Sequence, residues 1–157
     1  MLSPEAGDRG RAARPFVALG VAAIVGGGLA AAAVAPHPTS QLVWMSAYLV
    51  LVVGIVQIVF GAGQARLASV PPAAGFLTAE WLVFNLGNAA VIAGTLLGRF
   101  WIVFAGTLCF ATGIALFLSG TRKTAGGGWV LAYRVLLILI FVSSLVGLGL
   151  SVAADLH

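Results

Sequence analysis

The stretch Leu77 to Ser119, LTAEWLVFNLGNAAVIAGTLLGRFWIVFAGTLCFATGIALFLS, decides the fold. It holds two apolar runs, Leu77 to Leu97 and Phe100 to Ser119, separated only by Gly98-Arg99. About 20 mainly apolar residues in helical form cross a hydrocarbon core roughly 30 Å thick. Backbone N–H and C=O groups find no water at that depth, so each run has to satisfy them within itself as a helix. Two helices joined by two residues turn back on each other. The stretch therefore reads as a transmembrane hairpin, and lipid is the solvent in which its residues are to be judged.

Working outward, three further runs have the same character: Pro15 to Val34, Gln41 to Gly61 and Trp129 to Ala153. The expected fold class is all-α, an integral membrane bundle of five transmembrane helices over about 15–34, 41–61, 77–97, 100–119 and 129–153. Residues 1–14 form a short basic tail, residues 15–153 a single transmembrane domain and residues 154–157 a second tail. The composition agrees, with 61% hydrophobic and 8% charged residues, against roughly 25% charged in a soluble domain. Any chemistry has to sit within the helices.

Basic residues are retained on the cytoplasmic side of short loops. Arg9, Arg11 and Arg14 precede the first helix, and Arg66, Arg122 and Lys123 lie in the second and fourth connections, whereas the opposite connections hold only Arg99. The asymmetry places the N-terminus in the cytoplasm and, after five crossings, the C-terminus with Asp155 and His157 outside. Tryptophan favours the headgroup level, and Trp44, Trp81, Trp101 and Trp129 all fall near helix ends. Ala33-Val34-Ala35 before Pro36 also resembles a signal-peptide cleavage site. Processing there leaves four helices in the same orientation.

Connections are short. Pro36 and Pro38 interrupt the first. The second, about Gln64 to Phe76, carries Pro71-Pro72 and has the length for a re-entrant or surface-lying segment. The fourth, Gly120 to Gly128, is Gly-rich but lacks the Gly-Lys-Ser/Thr ending of a phosphate-binding loop, and reads as a linker.

Lipid tails are as apolar as leucine, so helices in a bilayer associate through close contact and interhelical hydrogen bonds, which small residues permit. Gly20 and Gly27 mark the first segment, and Ala47, Gly54, Gln57, Gly61 and Gln64 form a stripe on the second. Ala90, Gly94 and Gly98 do so on the third, Gly106, Gly113 and Gly120 on the fourth, and Ser143, Gly147 and Ser151 on the fifth. Such seams serve packing within one bundle or between copies.

Polar groups at depth are costly and are functional candidates by default. Gln57, Glu80, Asn85, Asn88 and Arg134 fall in the cytoplasmic half or near the midplane, with Tyr133 beside Arg134. They make up a candidate polar pocket for a small solute, a quinone head or a lipid headgroup, with Glu80 and Arg134 as an ion pair. In the competing reading Glu80 and Arg134 snorkel to the interface, while the amides only bridge helices.

No catalytic, metal-binding or nucleotide-binding pattern is present, and no cofactor is implied. Cys109 is the only cysteine and reads as a small packing residue; His37 and His157 are the only histidines. The basic residues are dispersed along the chain, which argues against a nucleic-acid partner. In size and helix number the chain is similar to the tryptophan-rich translocator family of five-helix membrane proteins. The region Trp44-Met45-Ser46-Ala47-Tyr48 lacks the prolines of that family's motif, so no residue roles carry over. Ala/Gly/Val-rich, Lys-poor usage points to a bacterial cytoplasmic membrane.

The functional expectation is a non-enzymatic multi-pass protein, either an accessory or assembly subunit of a larger complex or a binder of lipid-like molecules. Its partners would be membrane lipids, further copies or other subunits. The alternatives are a small-solute transporter or channel, and a membrane enzyme acting on a lipid or quinone through Glu80, Tyr133 and Arg134.

Overall fold

The computed structural model describes residues 4–69 and 72–155, with side-chain surroundings for 9–69 and 72–149. His157 and the side chains of Ser151 and Asp155 lie outside that description. All elements are helical, and no strand occurs among the described residues. In chain order they are α1 (Pro4–Val34), α2 (Ser40–Tyr48), a π-helical segment (Leu49–Val56), α3 (Gln57–Leu67), α4 (Ala74–Leu96), α5 (Phe100–Gly120) and α6 (Gly128–Asp155). The α2, π and α3 pieces run on as one span, so five helices are long and apolar enough to cross a membrane. This fits a multi-pass membrane protein.

The helices exceed the apolar runs at several ends. α1, described from Pro4, runs through the basic tail and Pro15. The second span runs on to Leu67 and α4 starts at Ala74. Only residues 68–73 remain between them, too few for a re-entrant helix.

The chain divides into two compact units, Met1–Pro71 and Pro72–His157. In the first, α1 packs along the whole second span. The Thr39 hydroxyl accepts from the Leu42 amide at 3.3 Å and caps α2 just after the two prolines of the connection. The closest approach lies farther along, where a Cβ added to Gly61 would stand 2.3 Å from the Cβ of Phe16. Phe16 is fully buried there. Gly20 and Gly27 act as the packing positions expected of them, against Ile58 and Val50.

The π-helical turns shift the seam of the second span. Its buried residues are Ser46, Val53, Gly54, Gln57, Phe60, Gly61, Gln64 and Ala65, while Ala47 is exposed. An α-helix returns to the same face after about seven residues, which pairs Gly54 with Ala47. A π-helix closes i to i+5 and takes more residues per turn, so Ser46 replaces Ala47 as the buried residue.

In the second unit α4 and α5 form the expected hairpin, the most extensive helix pair of the chain, and α6 packs on α5. The hairpin turns through a Schellman motif: the Arg99 amide donates to the Gly94 carbonyl at 2.8 Å and the Gly98 amide to that of Thr95 at 3.3 Å. Gly98 takes φ +60, a left-handed conformation that suits glycine. It therefore serves the turn rather than the seam. On α4 the close contacts fall at Gly87 and Gly94, which meet the backbone of Phe110 and Val103. Phe84 continues the contact, with ring centroids 5.1 Å from Phe110 and 5.8 Å, edge-on, from Phe117.

Two seam expectations change. Cys109 is exposed on α5, not packed. Ser143 and Gly147 are exposed on α6, and a Cβ at Gly147 would meet nothing within 4 Å.

Candidate functional site

Of the five polar candidates, Gln57 belongs to the first unit and the other four to the second. Gln57 opens α3 immediately after the π segment, and its own amide donates to the Gly54 carbonyl. Its side chain is fully buried, and neither Nε2 nor Oε1 has a hydrogen-bond partner among the described residues. A buried amide left in that state costs about 1–3 kcal/mol.

In the second unit the buried face of α4 is Glu80, Phe84, Gly87, Asn88 and Gly94. Glu80 and Asn88 lie two turns apart on it, with Trp81 and Asn85 half-buried at its margin. Because α4 begins at Ala74, Glu80 sits about 9 Å along the helix, at 1.5 Å per residue, deeper than the apolar run alone implies. Arg134 lies equally far into α6, which starts at Gly128. Tyr133, buried, precedes Arg134 on α6.

Asn85, Asn88 and Arg134 donate to backbone. Asn85 Nδ2 donates to the Trp81 carbonyl at 2.7 Å and Asn88 Nδ2 to that of Phe84 at 2.9 Å. Both bonds run to the preceding turn of the same helix. Arg134 Nη2 donates to the carbonyl of Thr121 and, at 3.3 Å, to that of Thr124. Thr121 follows the last residue of α5 and is fully buried. A cation at a helix C-terminus meets unsatisfied carbonyls and the negative end of the helix dipole. The guanidinium therefore fastens α6 to the end of α5.

Thr121 went unnoticed in the sequence because it sits in a Gly-rich connection that looks like a linker. A second feature also escaped. In the first unit an apolar groove of about 410 Å³ opens between α1 and the second span, lined by Gly27, Gly28, Ala31, Ser46, Ala47 and Val50 among others. Ser46 is its one hydroxyl, and that Oγ donates to the Leu42 carbonyl at 2.9 Å. Its signal was the small-residue run around Gly26-Gly27-Gly28, which leaves room where a larger side chain would fill it.

No group of three His, Cys, Asp or Glu residues that could hold a metal ion occurs among the described residues. No family model matches the chain, and no curated protein or solved structure matches it.

Proposed function

We propose that the protein is a non-enzymatic multi-pass membrane protein that binds a lipid-like molecule, its apolar chain lying in the groove between α1 and the second span. The groove is the observation that carries this reading. Its 410 Å³ fall in the range of about 300–1,000 Å³ of ligand pockets. An almost wholly apolar lining at bilayer depth suits a hydrocarbon or isoprenoid chain better than a polar solute. The engagement of Asn85, Asn88 and Arg134 by backbone carbonyls adds to it, since donors held in helix and loop contacts are poorly placed for catalysis or conduction.

The test is native mass spectrometry of the protein purified in mild detergent, with Gly28→Phe as the comparison. Gly28 lines the groove, and a Cβ there meets nothing within 4 Å, so the ring can enter the groove without disturbing the helix pair. A defined lipid-like mass that is retained by the parent and lost in Gly28→Phe is expected. A bare parent protein, or equal retention in both, overturns the reading.

A second reading, an assembly subunit or homo-oligomer, is favoured by the open Ser143 and Gly147 face of α6. The same spectra register it as a multimer or as co-purifying chains.

A further inference from the structure

The first helix is longer than the membrane it would cross. Its 31 residues span about 46 Å at 1.5 Å each, whereas the hydrocarbon core is about 30 Å and the bilayer with headgroups about 40–45 Å. The apolar part begins at Pro15-Phe16, so the preceding turns, with Arg9, Arg11 and Arg14, stand at headgroup level. Arg11 and Arg14, three residues apart, lie on neighbouring positions of one face.

A fourth arginine reaches this level from the other helix of the unit. Arg66 is the penultimate residue of α3, and Arg9 Nη1 donates to its carbonyl at 3.3 Å. Arg11, Arg14 and Arg66 are exposed and Arg9 half-exposed. Arg9 and Arg66 thus meet where α1 packs on α3, and Arg14 stands at the same level on another face of α1.

We propose that this end of the first unit binds the phosphate-bearing headgroup of an anionic phospholipid, in the leaflet where α1 begins. Guanidinium matches phosphate with paired N–H donors. Each basic residue at an anionic membrane surface strengthens binding roughly fivefold. The site is separate from the apolar groove, because Arg9 and Gly27 are 18 residues apart on one helix, about 27 Å. Its failure and that of the groove are therefore read independently.

The experiment is native mass spectrometry of the full chain in detergent with equimolar phosphatidylglycerol and phosphatidylcholine. Phosphatidylglycerol adducts are expected to dominate, and Arg9→Gln/Arg14→Gln/Arg66→Gln to bring the two lipids to near parity. Arg122→Gln/Lys123→Gln, in the connection before α6, is expected to leave the preference intact. Should the triple variant fail to fold, raising the salt on the parent protein reads the same contact, and the preference is expected to fall as charges are screened. Parity in the parent, a preference insensitive to salt, or equal loss in the Arg122/Lys123 variant overturns the proposal. Displacement of phosphatidylglycerol by millimolar inorganic phosphate overturns the assignment to lipid, since the site would then recognise free phosphate.

Discussion

Arg134 donates from one guanidinium nitrogen to the carbonyl oxygens of both Thr121 and Thr124, spanning the end of α5 and the connection that follows it. One charged side chain on α6 thereby satisfies carbonyls left open by another helix. Hydrogen bonds to charged groups contribute about 1.5–3 kcal/mol each, and Arg134 is half-buried, so the lower end applies. Arg134→Gln is expected to lower the unfolding midpoint in detergent by several degrees, read by circular dichroism. An unchanged midpoint would mean that the contact contributes nothing to stability.

The α4 and α5 backbones approach closely at Gly87, where an added Cβ would stand 2.5 Å from the Phe110 nitrogen. Its three nearest neighbours, Phe110 N and Cα and Gly106 O, are all backbone, so Gly87→Ala has to push the helices apart. Overpacking of that kind costs about 1–3 kcal/mol. At Gly147 the same substitution meets nothing and gains up to about 1 kcal/mol of helix propensity. Thermal unfolding of the two variants is expected to move in opposite directions, and movement in the same direction would contradict this packing.

Gly98 is the only described residue with positive φ. Gly98→Ala places a Cβ in the left-handed region, at about 1–2 kcal/mol, with no packing change, because the position is otherwise open. Its destabilisation should equal that of Gly98→Ser within error and exceed that of Gly98→Asn, which tolerates the conformation better. A ranking by side-chain size instead would show that packing, not φ, sets the requirement.

Gln57 has both side-chain polar atoms buried and unbonded among the described residues. Gln57→Leu keeps the volume and removes the unsatisfied amide, so a gain of about 1–3 kcal/mol is expected, seen as a higher midpoint in detergent. A lower midpoint would reveal that the amide is bonded in the membrane, to a ligand or a bound water, and would return Gln57 to the candidate site.

The candidate site was legible only in part. Glu80, Asn85, Asn88 and Arg134 stand out in a sequence because polar residues are rare within apolar runs, and that rarity is a one-dimensional signal. What each donor bonds to is not. The i−4 carbonyls that hold the two asparagines compete with any ligand, and no residue pattern tells which of them wins. Thr121 contributes a backbone carbonyl, and a carbonyl carries no residue identity at all.

By itself the sequence determined five helices long and apolar enough to cross a membrane and the hairpin turn at Gly98-Arg99, because length, apolarity and backbone satisfaction are all set along the chain. Tertiary structure decided which face of each span is used. Ser46 replaced Ala47 because a π-helical stretch changed the number of residues per turn. Gly87 replaced Gly98 as a packing position because the turn claimed the latter. Cys109 and Gly147 are exposed, and a Cβ at Gly147 would meet nothing within 4 Å among the described residues. In lipid a small residue costs the same facing a neighbouring helix or facing a tail, so only the neighbour's surface settles which small residues become a seam.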